Sequence, residues 1–393
     1  MLITLILYNS VLILSTAFVY LSEKTPFPTE RIIMRLLAFS IVFLPAALRY
    51  EIGIDYFSYK LIFENIRDGN YLISDGKVEP GYYALNWVVA NLGLPFECLI
   101  AIVSFFILFL FNLSYPKKNK YIFHFAFIAL LYFTTFNLLR SWLALSIAWL
   151  GISLLYNNKI GWTKYIFIIL FSVLFHKSSV VFLILPFFSV RFYFSAPLIS
   201  SLSIATLFFA LLFYSENLVD FIFNNPISKF LGYSSYSTSW YARKTDIGTG
   251  LGVIFNGLFL TYILFHHNKI KLLNENKHLL VSLIIITIIV QAAAANIHIF
   301  GRLNHIFYFS YFLALGFYLN HKIFLSKFII LFFLFLAFFD FNRSILNGST
   351  DYMVTCSGAR IAPYISIFNK DDSKREPYLT SRRNWCEDFF ESN

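Results

Sequence analysis

The stretch LLVSLIIITIIV, Leu279–Val290, is an almost uninterrupted apolar run, and FIILFFLFLAFF, Phe328–Phe339, is a second one. Neither run alternates between apolar and polar residues, as the strands of a transmembrane β-barrel do. Of the 393 residues, 58% are apolar and 13% are charged, against about 45–50% and about 25% in an average soluble domain. The sequence therefore predicts an all-α, polytopic transmembrane helical bundle.

Similar apolar blocks recur along the chain with lengths of about 18–22 residues, enough for a helix to cross a hydrocarbon core about 30 Å thick. They predict about twelve spans, near 2–22, 31–48, 96–113, 121–137, 139–156, 163–175, 178–190, 196–214, 250–267, 278–296, 302–320 and 322–340. We expect residues 1–340 to form one transmembrane domain and residues 341–393 a polar C-terminal tail. The segment Gly81–Leu94 is amphipathic and too short to span, so it is expected in the membrane interface.

Lysine and arginine in short loops indicate the orientation, because such loops stay in the cytoplasm. The basic loops can share one side only if the region 163–190 crosses twice, with a turn near His176. The N-terminus then lies outside the cytoplasm. The loops 49–95 and 214–249 lie on the same, non-cytoplasmic side of the membrane. The 31 lysines and arginines are scattered between apolar blocks instead of forming one basic surface, which argues against a nucleic-acid partner.

The tail is also placed outside, and it holds two of the three cysteines, Cys356 and Cys386. In an oxidising compartment they could form a disulfide, and two free thiols are the alternative. Neither a Cys-x-x-Cys pair nor a Cys/His spacing typical of a metal site occurs. The sequence predicts no metal and no cofactor, and the missing Asp-x-Asp pattern argues against a metal-assisted nucleotide-sugar transferase.

Ionisable residues within or beside a span cost about 2.5–3.5 kcal/mol on insertion scales and mark cavities or substrate paths. On the predicted topology most of them collect at one face of the membrane. The cations of this face are Arg49, Arg140, Lys177, Arg243 and Arg302. Arginine pairs bidentately with phosphate oxygens, so the set predicts an anionic ligand such as a lipid pyrophosphate. Snorkelling to lipid headgroups is the alternative for each arginine.

The stretch RYEIGIDYFSY, Arg49–Tyr59, combines charges and tyrosines just outside a span. If the chain is helical from Asp55, then Asp55 and Tyr59 share one face. With Tyr56 they offer the stacking surface and hydrogen-bond partners that a sugar requires. An aromatic belt at the membrane interface is the alternative for the tyrosines.

Two further polar sites lie on the same face. Glu79, followed by Pro80, Gly81 and Tyr82, precedes a helix start, where it either caps exposed N–H groups or acts on a substrate. His176 interrupts an apolar stretch, and it is either a general base or a histidine that bonds a backbone carbonyl.

The order of these motifs resembles the EpsG-like family of polysaccharide polymerases. The resemblance covers residues 1–340 and, more loosely, Ala362-Pro363-Tyr364. The residues that carry it are Arg49, Gly53, Asp55, Tyr56 and Tyr59, then Glu79–Tyr82, Arg140 with Ala144, Phe175–Ser179, and Arg302 with Tyr308 and Phe309.

This resemblance implies a Wzy-type O-antigen or exopolysaccharide polymerase of the bacterial inner membrane, similar to membrane glycosyltransferases of the C superfamily. Such enzymes join oligosaccharide repeat units carried on undecaprenyl diphosphate at the periplasmic face and use no nucleotide sugar. The family also implies a chain-length regulator protein as a partner.

The combined hypothesis assigns roles to the polar residues. Arg49, Arg140 and Arg302 hold the diphosphate, with Lys177 and Arg243 beside them. Asp55 and His176 are the candidate bases for the acceptor hydroxyl, and Glu79 is the third. Tyr56, Tyr59 and Tyr82 line the sugar groove.

Two other functions use the same lipid-linked oligosaccharide. An O-antigen ligase would transfer it to lipid A core. A flippase would carry it across the membrane, and it should show charges along a path at mid-depth and often repeat symmetry. The predicted charges gather at one face and no repeat is visible, which favours an enzyme.

Overall fold

The computed structural model describes most of the first half of the chain and several segments of the second half. The described residues are 1–73, 78–116, 119–187, 203–204, 259–262, 264–265, 277–296, 308, 310–313, 315–316, 326–347 and 360–370. The predicted loop 214–249, Arg243, Arg302 and both cysteines of the tail lie outside this set.

Every regular element among the described residues is a helix. In chain order they are α1 (Leu2–Lys24), α2 (Pro28–Ala47), α3 (Tyr56–Arg67), α4 (Pro80–Asn91), α5 (Phe96–Ser114), α6 (Lys120–Asn137), α7 (Leu139–Tyr156), α8 (Trp162–Val173), a 3₁₀ helix (Lys177–Phe187), α9 (Lys277–Asn296) and α10 (Ser326–Asn347). The all-α prediction is confirmed for this part of the chain.

Four helices of the described part are long and apolar enough to cross a membrane: Leu2–Lys24, Phe96–Ser114, Leu139–Tyr156 and Ile330–Asn347. The protein is thus a membrane protein with several apolar helices. The count of about twelve spans stays a prediction, since several of the predicted spans lie wholly or partly outside the described residues.

The chain divides into two units. The first comprises Met1–Leu154, Thr163–Val180 and Phe324–Asn393, and the second comprises Leu155–Trp162 and Val181–Ile323. Helix α9 belongs to the second unit, where the hydroxyl of Thr287 donates to the hydroxyl of Ser310 at 2.9 Å. The candidate site belongs to the first unit.

Local sequence explains where the helices beside the site begin. Pro80 opens α4, as Pro28 opens α2, because proline has the φ of a first helical turn and needs no hydrogen-bonded N–H there. Helix α3 follows Asp55 at its N-cap. Helix α8 ends at Val173 and the 3₁₀ helix begins at Lys177, so the break expected at His176 is present.

An aromatic cluster holds α5, α6 and α7 together inside the first unit. The ring of Phe111 lies 4.4 Å from Phe127, 5.6 Å from Trp142 and 4.7 Å from Trp149, measured between centroids. All four side chains are buried. Large aromatic rings bury more apolar surface than any other side chains. This cluster therefore fixes the position of α7 relative to α5 and α6, both along and about its axis.

Part of the predicted tail packs against the loop that follows α2. We call residues 360–370 the C-terminal strap. The amide of Tyr50 donates to the carbonyl of Ile365 at 2.9 Å, and the amide of Gly53 donates to the carbonyl of Arg360 at 3.1 Å. The strap also reaches α1, where the hydroxyl of Tyr8 donates to the carbonyl of Ile361 at 3.1 Å.

Gly53 lets this loop approach the end of α6. Its φ is +105°, and a Cβ there would lie 2.7 Å from the carbonyl oxygen of Phe136. The next amide, of Ile54, donates to Oδ1 of Asn137 at 2.9 Å. The loop is thus held between α6 and the strap.

We expect Gly53→Ala to lower the thermal unfolding temperature of the detergent-solubilised protein more than Gly69→Ala does. Both glycines have a positive φ, but a Cβ at Gly69 would meet nothing within 4 Å. Both variants therefore carry backbone strain of about 1–2 kcal/mol, whereas only Gly53→Ala adds a steric clash. Equal unfolding temperatures would contradict the packing described here.

Candidate functional site

One carboxylate in the first unit contacts two of the predicted functional residues. Oε2 of Glu79 lies 2.7 Å from Nη1 of Arg140, and Oε1 lies 2.9 Å from Nδ1 of His176. Each carboxylate oxygen therefore serves a different partner. We call Glu79, Arg140 and His176 the charged triad.

Three helix ends converge on the triad. Glu79 is the N-cap residue of α4, where the helix dipole favours an anion. His176 follows the C-terminus of α8. Arg140 lies in the first turn of α7, where the dipole disfavours a cation, so Arg140 depends on Glu79 for a counter-charge.

The N-cap position of Glu79 suggested a capping role, but its side chain makes no capping hydrogen bond. Both oxygens point to Arg140 and His176 instead. Of the two roles considered for this residue, the capping bond is not made, and action on a substrate stays a prediction.

Gly81 sets the distance between α4 and α8. Its amide donates to the carbonyl of Leu174 at 2.7 Å, and a Cβ on Gly81 would lie 2.9 Å from that same oxygen. Any larger residue would push the start of α4 away from the end of α8. The contact between Glu79 and His176 therefore depends on this glycine.

Ser179 belongs to the turn itself. The amide and the hydroxyl of Ser179 both donate to the carbonyl of His176, at 3.2 and 2.9 Å. The hydroxyls of Ser172 and Ser179 lie 2.9 Å apart. These bonds fix the backbone of His176 and leave its ring to interact with Glu79.

The charge state of Glu79 determines which ring nitrogen of His176 carries the proton. Burial by itself raises the pKa of Glu79, but the hydrogen bond with His176 and the charge of Arg140 outweigh it and hold the pKa at about 2. An ionised carboxylate can only accept, so Nδ1 of His176 is the donor. When the ring is neutral, Nε2 carries the lone pair.

Exposure separates the members of the triad. The side chain of Glu79 is 8% exposed, whereas those of Arg140 and His176 are 25% and 26% exposed. A ligand can therefore reach the guanidinium and the imidazole, while the carboxylate that links them lies beneath. The arrangement can offer a cation and a proton acceptor side by side.

Two of the predicted sugar-groove tyrosines pack against Arg140. Its guanidinium carbon lies 5.8 Å from the ring centroids of both Tyr59 and Tyr82, within range of a cation–π attraction. Both rings are buried. Burial, then the charge of Asp55, raises the pKa of Tyr59 to about 12 against the opposing effect of Arg140. These tyrosines stay neutral and support the arginine.

Arg49 has a different environment from Arg140. It is 1% exposed, it donates to the carbonyl of Ala46 and, at 2.9 Å, to the hydroxyl of Ser104, and its guanidinium carbon lies 4.6 Å from the ring centroid of Phe136. Burial lowers its pKa to about 10, so it remains charged at neutral pH. Arg49 packs α2 against α5 and α6.

Three other predicted site residues lie in the described part of the first unit. Asp55 lies at the N-cap of α3, one helical turn before Tyr59. Tyr56 is buried with its ring 5.2 Å from Phe96 and 6.1 Å from Tyr50. Lys177 is exposed directly after His176.

Sequence reasoning did not assign a role to Gly81 in positioning, to Asn137, or to the C-terminal strap. The Gly81 signal was a proline–glycine pair at a helix start. At Asn137 the only signal in the sequence was a polar residue at the end of an apolar block. Within the described ranges, no group of three or more His, Cys, Asp or Glu side chains could hold a metal ion.

The model of the EpsG family matches residues 32–365, most of the chain and including the triad and half of the strap. No curated protein and no solved structure matches the chain. The match confirms the resemblance seen in the order of the sequence motifs.

We expect Glu79→Gln to remove an acid-dependent part of the stability. A carboxyl whose pKa falls from 4.5 to about 2 on folding stabilises the folded state above pH 4.5 and loses that contribution as the pH falls towards 2. The contribution is on the order of 3 kcal/mol at pH 7. Thermal unfolding in detergent should show a wild-type advantage at pH 7 that shrinks towards pH 3.

The matched control is Glu64→Gln, which removes a carboxylate of α3 outside the triad. A wild-type advantage over Glu79→Gln that is the same at pH 7 and pH 3 would show that the ion pairs of Glu79 do not form.

Proposed function

The chain belongs to the EpsG family, and we propose that it is a membrane glycosyltransferase that polymerises oligosaccharide repeat units carried on undecaprenyl diphosphate. Family membership supports the coarse class, a polysaccharide polymerase-like membrane protein. The charged triad supports the chemistry, because a cation and a proton acceptor each contact one oxygen of the same buried carboxylate. The triad is the observation that carries the proposal.

Arg140 is the proposed contact for the diphosphate. Nη1 is used by Glu79, and the partly exposed guanidinium has further N–H groups in the planar fork that phosphate oxygens match. As the sugar–phosphate bond breaks, negative charge develops on the diphosphate leaving group. A fixed cation beside it stabilises the transition state more than the ground state.

His176 is the proposed base. Glu79 fixes Nδ1 as the donor, so Nε2 is the nitrogen that can take the proton of the acceptor hydroxyl. The acceptor oxygen then forms the new bond to the anomeric carbon, and the bond from that carbon to the diphosphate oxygen breaks. Its electron pair leaves with the lipid diphosphate, and the proton remains on His176.

The other predicted residues keep secondary roles in this proposal. Asp55, near Tyr59, is the second candidate base, and Lys177 adds a cation next to His176. Arg243 and Arg302, which the predicted topology puts on the non-cytoplasmic side, remain proposed ligands of the diphosphate. The contacts of Arg49 support a structural role in the loop after α2, and those of Tyr56 support the same.

The proposed location is the bacterial inner membrane, with the triad at the periplasmic face. The N-outside orientation places Glu79, Arg140 and His176 outside, and their direct contact fits that single side. The bilayer and the lipid-linked oligosaccharide are the proposed partners, and a chain-length regulator follows from the family. A bundle similar to glycosyltransferases of the C superfamily is the proposed fold.

The first test is a silver-stained gel of surface polysaccharide from cells that lack the gene. We expect the long-chain ladder to disappear, a single repeat unit to remain on core, and the wild-type gene to restore the ladder. If the single unit also disappears, a ligase or a flippase takes the place of a polymerase.

The same gel tests the triad. We expect Arg140→Ala and His176→Ala to fail to restore the ladder, since losing one transition-state contact costs about 10²–10³ in rate. The control Arg67→Ala removes an exposed arginine of α3 whose described partner is its neighbour Asp68, and it should restore the ladder fully. Immunoblots of membranes must show equal insertion, and a normal ladder from inserted Arg140→Ala would contradict the assignment.

A further inference from the structure

The connection between α6 and α7 carries the backbone that leads into the triad. Helix α6 ends at Asn137, and only Leu138 separates it from α7. The amide of Leu138 donates to the carbonyl of Thr134 at 3.1 Å, and the carbonyl of Leu138 accepts from the amide of Trp142 at 2.8 Å. The junction is thus hydrogen-bonded to both helices. Arg140 lies three residues after Asn137, so the position of the end of α6 determines where the backbone of Arg140 lies.

The side chain of Asn137 faces the loop that precedes α3. Its Oδ1 accepts a hydrogen bond from the amide of Ile54 at 2.9 Å. A Cβ on the neighbouring Gly53 would lie 3.1 Å from the same Oδ1, so the loop backbone packs directly against this side chain. Helix α3 begins at Tyr56, two residues after Ile54. The asparagine therefore joins the start of α3 to the junction before α7.

The other side of this loop is held by the C-terminal strap. The amide of Ile367 donates to the carbonyl of Leu48 at 2.9 Å, and the amide of Gly53 donates into the strap as well. Ile54 is 45% exposed, so its bond to Asn137 lies near the surface, and such a bond contributes about 0.5–1.5 kcal/mol. We therefore expect the fold to survive the loss of the Asn137 side chain.

Arg140 has partners on two helices other than its own. Nη1 lies 2.7 Å from Oε2 of Glu79 at the start of α4, and the guanidinium carbon lies 5.8 Å from the ring centroid of Tyr59 on α3. The guanidinium meets both partners only if the start of α7 is correctly placed against α3 and α4. Hydrogen bonds weaken beyond about 3.2 Å, so a shift of about 1 Å at the start of α7 weakens the contact with Glu79.

We infer that Asn137 is a positioning residue for the charged triad. By accepting from the amide of Ile54, it fixes the start of α7 and so brings the guanidinium of Arg140 to the carboxylate of Glu79. Its Oδ1 is used by that bond, so Asn137 acts through Arg140 and not on a substrate. The effect on the triad does not depend on the proposed function, whereas an effect on polymerisation rests on it.

A double-mutant cycle on the purified full-length protein in detergent tests the effect on the triad. The thermal unfolding temperature at pH 7 is measured for Asn137→Ala, for Glu79→Gln and for both together. We expect Glu79→Gln to lower the unfolding temperature about half as much in the Asn137→Ala protein as in the wild type, because a displaced Arg140 has less of its ion pair to lose.

The same cycle in an Arg140→Ala background is the control for the route of the coupling. Without the guanidinium, the two substitutions should lower the unfolding temperature additively. Additive changes in the presence of Arg140, or coupling that persists in its absence, would overturn the inference.

The ladder of surface polysaccharide tests the consequence for the reaction. Asn137→Ala should fail to restore the long-chain ladder, since a misplacement of about 1 Å can cost about 10²-fold in rate. Asn137→Asp keeps an oxygen that accepts from the amide of Ile54, and it should restore the ladder. The matched control is Asn91→Ala, which removes an asparagine whose Nδ2 donates to the carbonyl of Trp87 within α4 at 3.0 Å, and it should restore the ladder fully.

The outcomes distinguish this inference from the proposed function, provided that immunoblots show equal insertion. A full ladder from Asn137→Ala beside none from Arg140→Ala would overturn the inference alone, and so would loss of the ladder in Asn137→Asp. A full ladder from Arg140→Ala would contradict the proposed function, and the double-mutant cycle would then still decide whether Asn137 positions Arg140.

Discussion

The buried carboxylate of Glu79 is the interaction on which the site depends. It is 8% exposed and shares its two oxygens between Arg140 and His176. A lone charge in such a place costs several kcal/mol, and a pair is tolerated only when both members are well bonded. Because the three residues come from the start of α4, the start of α7 and the turn after α8, this bonding also determines how these helix ends meet. The same contact that neutralises the charges gives the imidazole its tautomer and the guanidinium its orientation.

Backbone contacts keep the helix ends close enough for this bonding. Gly81 meets the end of α8 and Gly53 meets the end of α6, each at a distance that leaves no room for a Cβ. The C-terminal strap covers the loop that contains Gly53.

Residue type alone does not define a role in this setting. Arg49 and Arg140 are both arginines of the same end, yet the first is 1% exposed and held by a backbone carbonyl, a serine and a phenyl ring. The second reaches the surface.

Local patterns in the sequence predicted a short helical segment after Glu79 and the break at His176, and they allowed a helix from Asp55, because each depends on a few adjacent residues. The order of the motifs was enough to identify the family, which the family match confirms. The pairing inside the site could not be predicted in the same way. Glu79 is 61 residues from Arg140 and 97 from His176, and no local rule chooses between the many charges of that face. The strap pairs with a loop more than 300 positions away, and its polar sequence resembled an independent tail.

The most direct test of this account is a cryo-electron microscopy structure of the protein in a lipid nanodisc with an undecaprenyl-diphosphate-linked oligosaccharide bound. The account predicts diphosphate oxygens within hydrogen-bonding distance of the Arg140 guanidinium. It also predicts that Glu79 still lies between Arg140 and His176, and that Nε2 of His176 faces the sugar end of the ligand. A diphosphate bound elsewhere, with Arg140 and His176 out of contact with it, would contradict the account.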